Sequence, residues 1–171
     1  TIGPPPTMMP TAVPPTATVT PARTYPASLN IVTEATYTLD GQQVVVGLPA
    51  AYVGDPRVAE VIRDYLRAYR SADRAFETGD EALLAEGLTG PMLERELAGL
   101  REDKAKGQAV RFGRTDRVLA IYTITEDQAG VYDAFMKSDT IVDVRTGQVL
   151  QTEVPRLVRV LSALRRAEGT W

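Results

Sequence analysis

The hydrophobic period of this chain switches from helical to alternating at Gly107, and that change constrains the fold more than any other feature. From Asp55 onward, apolar residues recur at steps of three and four: Val58, Ile62, Tyr65, Tyr69, Ala72 and Phe76, joined by Val61 and Leu66. Such spacing lays one apolar stripe along an amphipathic helix. Asp55 is placed to cap it, Pro56 suits its first turn, and Thr78-Gly79 ends it. Asp80 opens a short helix carrying Leu83 and Leu84. Thr89-Gly90-Pro91 opens a third, with Met92, Leu93, Leu97 and Leu100 inward and Gly107 closing it.

Beyond Gly107 the period is two. Gln108 to Thr125 reads as one long strand with a bulge at Gly113, buried on both faces over Val118 to Tyr122. Val131 to Val144 reads as the next, with Tyr132, Ala134, Met136, Val142 and Val144 on the inward parity. A third strand, Val149 to Val154, is broken by Pro155. The stretch Arg156 to Arg166 fits helix or strand. Strand is favoured, because Glu168-Gly169 suggests a turn with Trp171 starting one more strand. Helices first and antiparallel strands after predict an α+β domain, its N-terminal helices packed on one face of an antiparallel sheet.

Two segments precede this domain. Residues 29–54 alternate about Asp40-Gly41, a strong two-residue hairpin signal, and form a β-hairpin with its connection. Residues 1–28 hold eight of the twelve prolines and seven threonines, with Arg23 the only charge. Proline fixes φ and lacks a donor, so this leader reads as an extended polyproline-like segment. A pre-extended chain loses little entropy on binding, which makes Pro4, Pro5, Pro6, Pro14 and Pro15 candidates for a partner's groove. A passive spacer is the other reading. The chain begins at Thr1, so a membrane anchor or processed leader ahead of it is expected.

The chain has no cysteine and no histidine. Disulfides, thiolate chemistry, Cys/His zinc sites and iron–sulfur ligation are thereby excluded. No Gly-rich phosphate loop, nucleophile elbow or metal-spaced carboxylate cluster occurs, so no cofactor is expected. Net charge is −3, which argues against general affinity for nucleic acid. Arg111, Arg114, Arg117, Arg156, Arg159, Arg165 and Arg166 lie on the strands, the first three scattered over both faces. On the first helix Arg57, Arg63, Arg67, Arg70 and Arg74 alternate with Glu60, Asp64, Asp73 and Glu77, as on a solvated face.

The order of elements resembles the nuclear-transport-factor-2-like superfamily, in which a strongly curved sheet wraps a long helix into a cone. The residues carrying the likeness are Ala82-Leu83-Leu84 to Gly90-Pro91-Met92-Leu93, the Val131 to Asp143 strand and Leu157 to Trp171. They are most similar to bacterial extracytoplasmic members and to the domain shared by a mitochondrial inner-membrane import protein and a plastid-division protein. Tyr65, Tyr69, Phe76, Phe112, Tyr132, Met136 and Trp171 are candidates to line a cavity between helix and sheet, or to fill it. Enzymes of that superfamily set an Asp base and a Tyr inside the cone. Here the parity of Tyr132 is expected to send Asp133, Asp139 and Asp143 outward. The reading is a non-catalytic, extracytoplasmic, membrane-tethered accessory subunit of a larger envelope complex, energy-transducing and export complexes both being open. A ligand-binding or sensor domain using the cavity is the alternative, and an isomerase- or dehydratase-like enzyme the third.

Overall fold

The computed structural model describes residues 24–167 and 169–171; Pro4, Pro5, Pro6, Pro14 and Pro15 lie outside them. Its elements are strands β1 (Ile31–Leu39) and β2 (Gln42–Pro49), helices α1 (Arg57–Thr78), α2 (Ala82–Ala85) and α3 (Gly90–Ala105), then six further strands. These are β3 (Gln108–Arg111), β4 (Arg114–Ile124), β5 (Gln128–Lys137), β6 (Thr140–Asp143), β7 (Val149–Thr152) and β8 (Arg156–Arg165). The fold is α+β, with a curved antiparallel-rich sheet and a few helices.

Local chemistry sets the ends of α1. The Arg57 N–H donates to Asp55 Oδ1 at 2.9 Å, and Gly79, at φ 76°, donates its N–H to the Ala75 carbonyl at 2.7 Å. Both satisfy backbone groups that a helix end leaves orphaned. The β1–β2 hairpin turns on Asp40 and Gly41, both with positive φ, a geometry matching the twist of the strands it joins. In α3 the expected inward set is incomplete: Leu100 is buried, whereas Met92 is 41% exposed beside Arg95.

Sheet order is β1-β2-β4-β5-β8 in one sheet and β3-β6-β7 in another. Three lengths of chain pass through both. β3 runs into β4 across Phe112-Gly113, β5 into β6 across Ser138-Asp139, and β7 into β8 across residues 153–155. Arg111 pairs with Thr140 on one side of the break and Arg114 with Lys137 on the other. The two expected long strands are therefore each bent into two. The Ser138 N–H donates to the Gly113 carbonyl at 2.9 Å, and the Glu153 N–H to the Asp139 carbonyl at 2.8 Å, across the bend. Gly113 is thus the bend residue, not a bulge. A Cβ there would stand 2.4 Å from the Ser138 carbonyl oxygen. The hairpin joins the rest through β2, which pairs in parallel with β4 at Val46↔Leu119 and Gly47↔Ala120. β8 is a strand, as expected, but Trp171 starts none; Ala167 and Thr170 form an isolated bridge just before it.

Both faces of the larger sheet are covered at its centre, on β4 and β5. On one, Val58, Val61, Ile62 and Tyr65 of α1 pack against Val46, Leu48, Leu119, Ile121 and Val131. On the other, Tyr25, Leu29 and Ile31 lie over Ala120, Tyr132 and Ala134. The Tyr25 ring crosses where Gly47 has no side chain; a Cβ there would meet it at 2.6 Å. A third cluster, built from Ala75, Phe76, Leu84 and Leu100, joins α1 to α2 and α3.

Candidate functional site

A polar cluster interrupts the apolar layer beneath α1. Tyr65 and Tyr69 sit one turn apart, their ring centroids separated by 4.9 Å. Asp133 and Phe135 face them from β5, and Arg114 and Arg117 from β4. The two arginines are an odd number of residues apart, so a regular strand would send them to opposite faces. A bulge prevents this. Between Thr115↔Met136 and Val118↔Ala134, β4 runs one residue more than β5, and Asp116 takes φ 52°. The parity of β4 flips there. Both guanidinium groups then lie over the same rings: Arg114 is 4.9 Å from Tyr69 and 5.4 Å from Phe135, Arg117 5.0 and 5.7 Å. At these distances the ring faces attract the cations.

The carboxylates neutralise this pair of cations. Asp133 has no exposed surface. Its Oδ2 accepts the Tyr65 hydroxyl at 2.9 Å, while Arg117 Nε lies 3.0 Å from Oδ1 and 3.1 Å from Oδ2. Arg114 pairs with Asp73 of α1. Beside them, at the bend, Lys137 Nζ lies 2.7 Å from Asp139 and 3.5 Å from Glu153. Burial, followed by the Asp133 charge, pushes the Tyr65 phenol well above its ordinary range. Burial also raises the Asp73 carboxyl, more than its Arg114 bond lowers it. Arg114 Nε and Asp73 Oδ1 are buried without a hydrogen-bond partner.

Acid–base work needs a lone pair aimed at a proton that a substrate can bring within reach. Both oxygens of Asp133 are engaged by Arg117 and Tyr65, and the group has no surface. Next to Arg117 an open groove of about 200 Å³ runs between Gln42–Val45 of β2 and Leu66 of α1. Ligand pockets usually hold roughly 300–1,000 Å³. The cluster braces α1 against the sheet and fills the cone.

The residues named from the sequence separate into four groups. Tyr65 and Tyr69 belong to the cluster. Phe76 and Phe112 lie next to it, edge to face at 5.4 Å. Tyr132 is on the opposite face under Tyr25, and Met136 shares its strand parity, so neither joins the others. Trp171 packs against the apolar layer under α1; its backbone N–H donates to Asp64 Oδ2 at 3.1 Å and Arg166 stands 5.5 Å over its ring.

The expected outward aspartates are corrected. Asp133 is fully buried and Asp139 is 4% exposed; Asp143 alone sits at a turn, accepting the Thr146 N–H at 2.7 Å. The inward parity of β5 is that of Asp133, because residues 25–31 bury the Tyr132 face independently. Arg114, Arg117 and Asp73 are likewise not scattered or solvated but drawn together. One signal in the sequence marks the site: Asp133 is the single charge in Ala129–Phe135.

These features define a cone-type α+β domain with paired charges and aromatic rings packed between its long helix and its sheet. Its fold is shared with the intermembrane space region of chloroplast protein ARC6, at 18% identity and a TM-score of 0.53, over 68% of this chain and 90% of that one. Aln2 from a Streptomyces species matches over 68% of this chain and 85% of its own at 21% identity; its TM-score of 0.42 carries no argument. No protein-family model and no curated protein matches the sequence.

Proposed function

We propose that this chain is a non-catalytic accessory domain of a membrane-associated protein assembly, placed outside the cytoplasm. The observation that carries the reading is the filled cone. In the space between α1 and the sheet, Tyr65, Tyr69, Arg114, Arg117, Asp133 and Phe135 pack on one another. A domain closed inside works through its outer surface. The likeness to an intermembrane-space region supports the compartment. No described helix is long and apolar enough to cross a membrane. Pro4, Pro5, Pro6, Pro14 and Pro15 supply part of the contact with neighbouring subunits.

The test is a pull-down from mild-detergent membrane extracts, comparing the whole chain with one lacking residues 1–23, a deletion that keeps Tyr25 over the sheet. A fixed set of co-purifying proteins, reduced when the leader is removed, is expected. No protein partner with either bait, together with a small molecule that raises the melting temperature, would overturn the reading in favour of a ligand-binding domain.

A further inference from the structure

The larger sheet ends at β8, which pairs with β5 and, among the described residues, with no strand on its other side. Leu157, Arg159, Leu161, Ala163 and Arg165 share the face turned away from α1. They continue the rows of β5 through the register Met136↔Leu157, Ala134↔Arg159 and Tyr132↔Leu161. On β5 that face is covered by Tyr25, Leu29 and Ile31. The cover stops there, leaving Leu157 50% and Leu161 66% exposed. Among the described residues neither Arg159 nor Arg165 makes an ion pair. This edge therefore offers a row of backbone donors and acceptors, two apolar side chains and two unanswered cations on a chain whose net charge is −3.

Three occupants compete, and charge decides among them. A second copy paired antiparallel along β8 would gather the Arg159 and Arg165 of both strands on one face, and β8 contains no carboxylate to meet them. The chain's own residues 1–28 contain eight prolines, which lack the donor a ladder needs, and no carboxylate to meet the arginines. An extended segment alternating apolar and acidic residues satisfies the backbone, sets its carboxylates on the Arg159 and Arg165 face, and lays its apolar residues beside Val158, Val160 and Leu164 on the other. We propose that β8 is a docking edge for such an acidic, extended segment of a partner protein, added as one more strand. This rests on the reading of the chain as a protein-binding domain and names the surface and the chemistry of its partner.

The probe is a fluorescein-labelled ten-residue peptide of alternating valine and glutamate, titrated into the full chain by fluorescence polarisation. Saturable binding is expected, with hydrogen-exchange protection of residues 156–165. The double variant Arg159→Glu/Arg165→Glu should bind at least about tenfold more weakly and should instead take the matching valine–lysine peptide. That exchange of preference is not produced by simple misfolding. No binding to the wild-type chain, equal binding to the wild-type and double-variant chains, or protection elsewhere overturns the proposal. So does a dimer in sedimentation that the double variant disrupts, which would make a second copy the occupant. Protection of β8 in the free chain that is lost on removing residues 1–23 would make the leader the occupant, and also overturns it. If membrane partners survive the double variant, the docking edge is wrong and the wider reading stands; if the wild-type chain retrieves none, the wider reading fails.

Discussion

Asp133 and Tyr65 are joined by a 2.9 Å hydrogen bond that fastens the middle of β5 to the middle of α1. Arg117 grips the same carboxylate from β4, so three elements meet at one buried charge. Breaking such a pair from one side is far costlier than replacing both members by apolar groups.

Asp133→Ala should therefore lower stability by about 3–5 kcal/mol, since it strands the Arg117 cation and the Tyr65 hydroxyl together. The double variant Asp133→Leu/Arg117→Met should recover most of that loss. Urea unfolding of the single and double variants reads both. Singles within experimental error of wild type would show that the pair does not brace the cone.

Tyr65 makes stability depend on alkaline pH. In the folded chain burial and the Asp133 charge hold its phenol well above the ordinary value of 10.0, whereas the unfolded chain releases the proton near 10.0. The contribution is complete below that pH and declines as pH rises above it. Tyr65→Phe should cost about 1–2 kcal/mol at neutral pH, with the gap to wild type narrowing above roughly pH 10. Denaturation midpoints of the two proteins across the alkaline range test this; a constant gap contradicts it.

Asp116 carries the bulge that brings Arg114 and Arg117 to one face, and it does so at φ 52°. Asp116→Gly should be neutral or stabilising by up to about 1 kcal/mol, because glycine holds that conformation without strain. Deleting Asp116 should instead prevent folding, since it returns one arginine to the opposite face. Circular dichroism melts distinguish the two. A deletion variant that melts like wild type would refute the role given to the bulge.

Gly113 touches Ser138 backbone to backbone. Gly113→Ala should cost about 1–3 kcal/mol, because the nearest atom is a carbonyl oxygen that cannot swing aside. Gly41→Ala, strained by a positive φ but facing open space, should cost only about 1 kcal/mol. Thermal melts of both variants check the order, and a reversed order would show that the bend gives way easily.

What was legible in the sequence was local. Asp55-Pro56 and Gly79 mark α1, and Asp40-Gly41 marks the hairpin, because capping and turn chemistry act over a few residues. The bend was hidden, since its three breaks lie far apart in the chain and align only once the strands pair. The site was misread for a related reason. The alternation in β5 pointed to Tyr132, yet that face is buried by Tyr25, Leu29 and Ile31, so both parities are interior. Asp116, a non-glycine in a left-handed conformation, gave no sign that parity changes there.

The parallel contact between β2 and β4 has a mechanical consequence. Two register pairs, Val46↔Leu119 and Gly47↔Ala120, join the amino-terminal hairpin to the rest of the sheet. The ladder between β4 and β5 runs nearly the length of both strands. Tension applied through the amino end would load Tyr25, that short seam and the packing of Val46 and Leu48 on α1 together, so the hairpin resists it through its core side chains as well as its ladder.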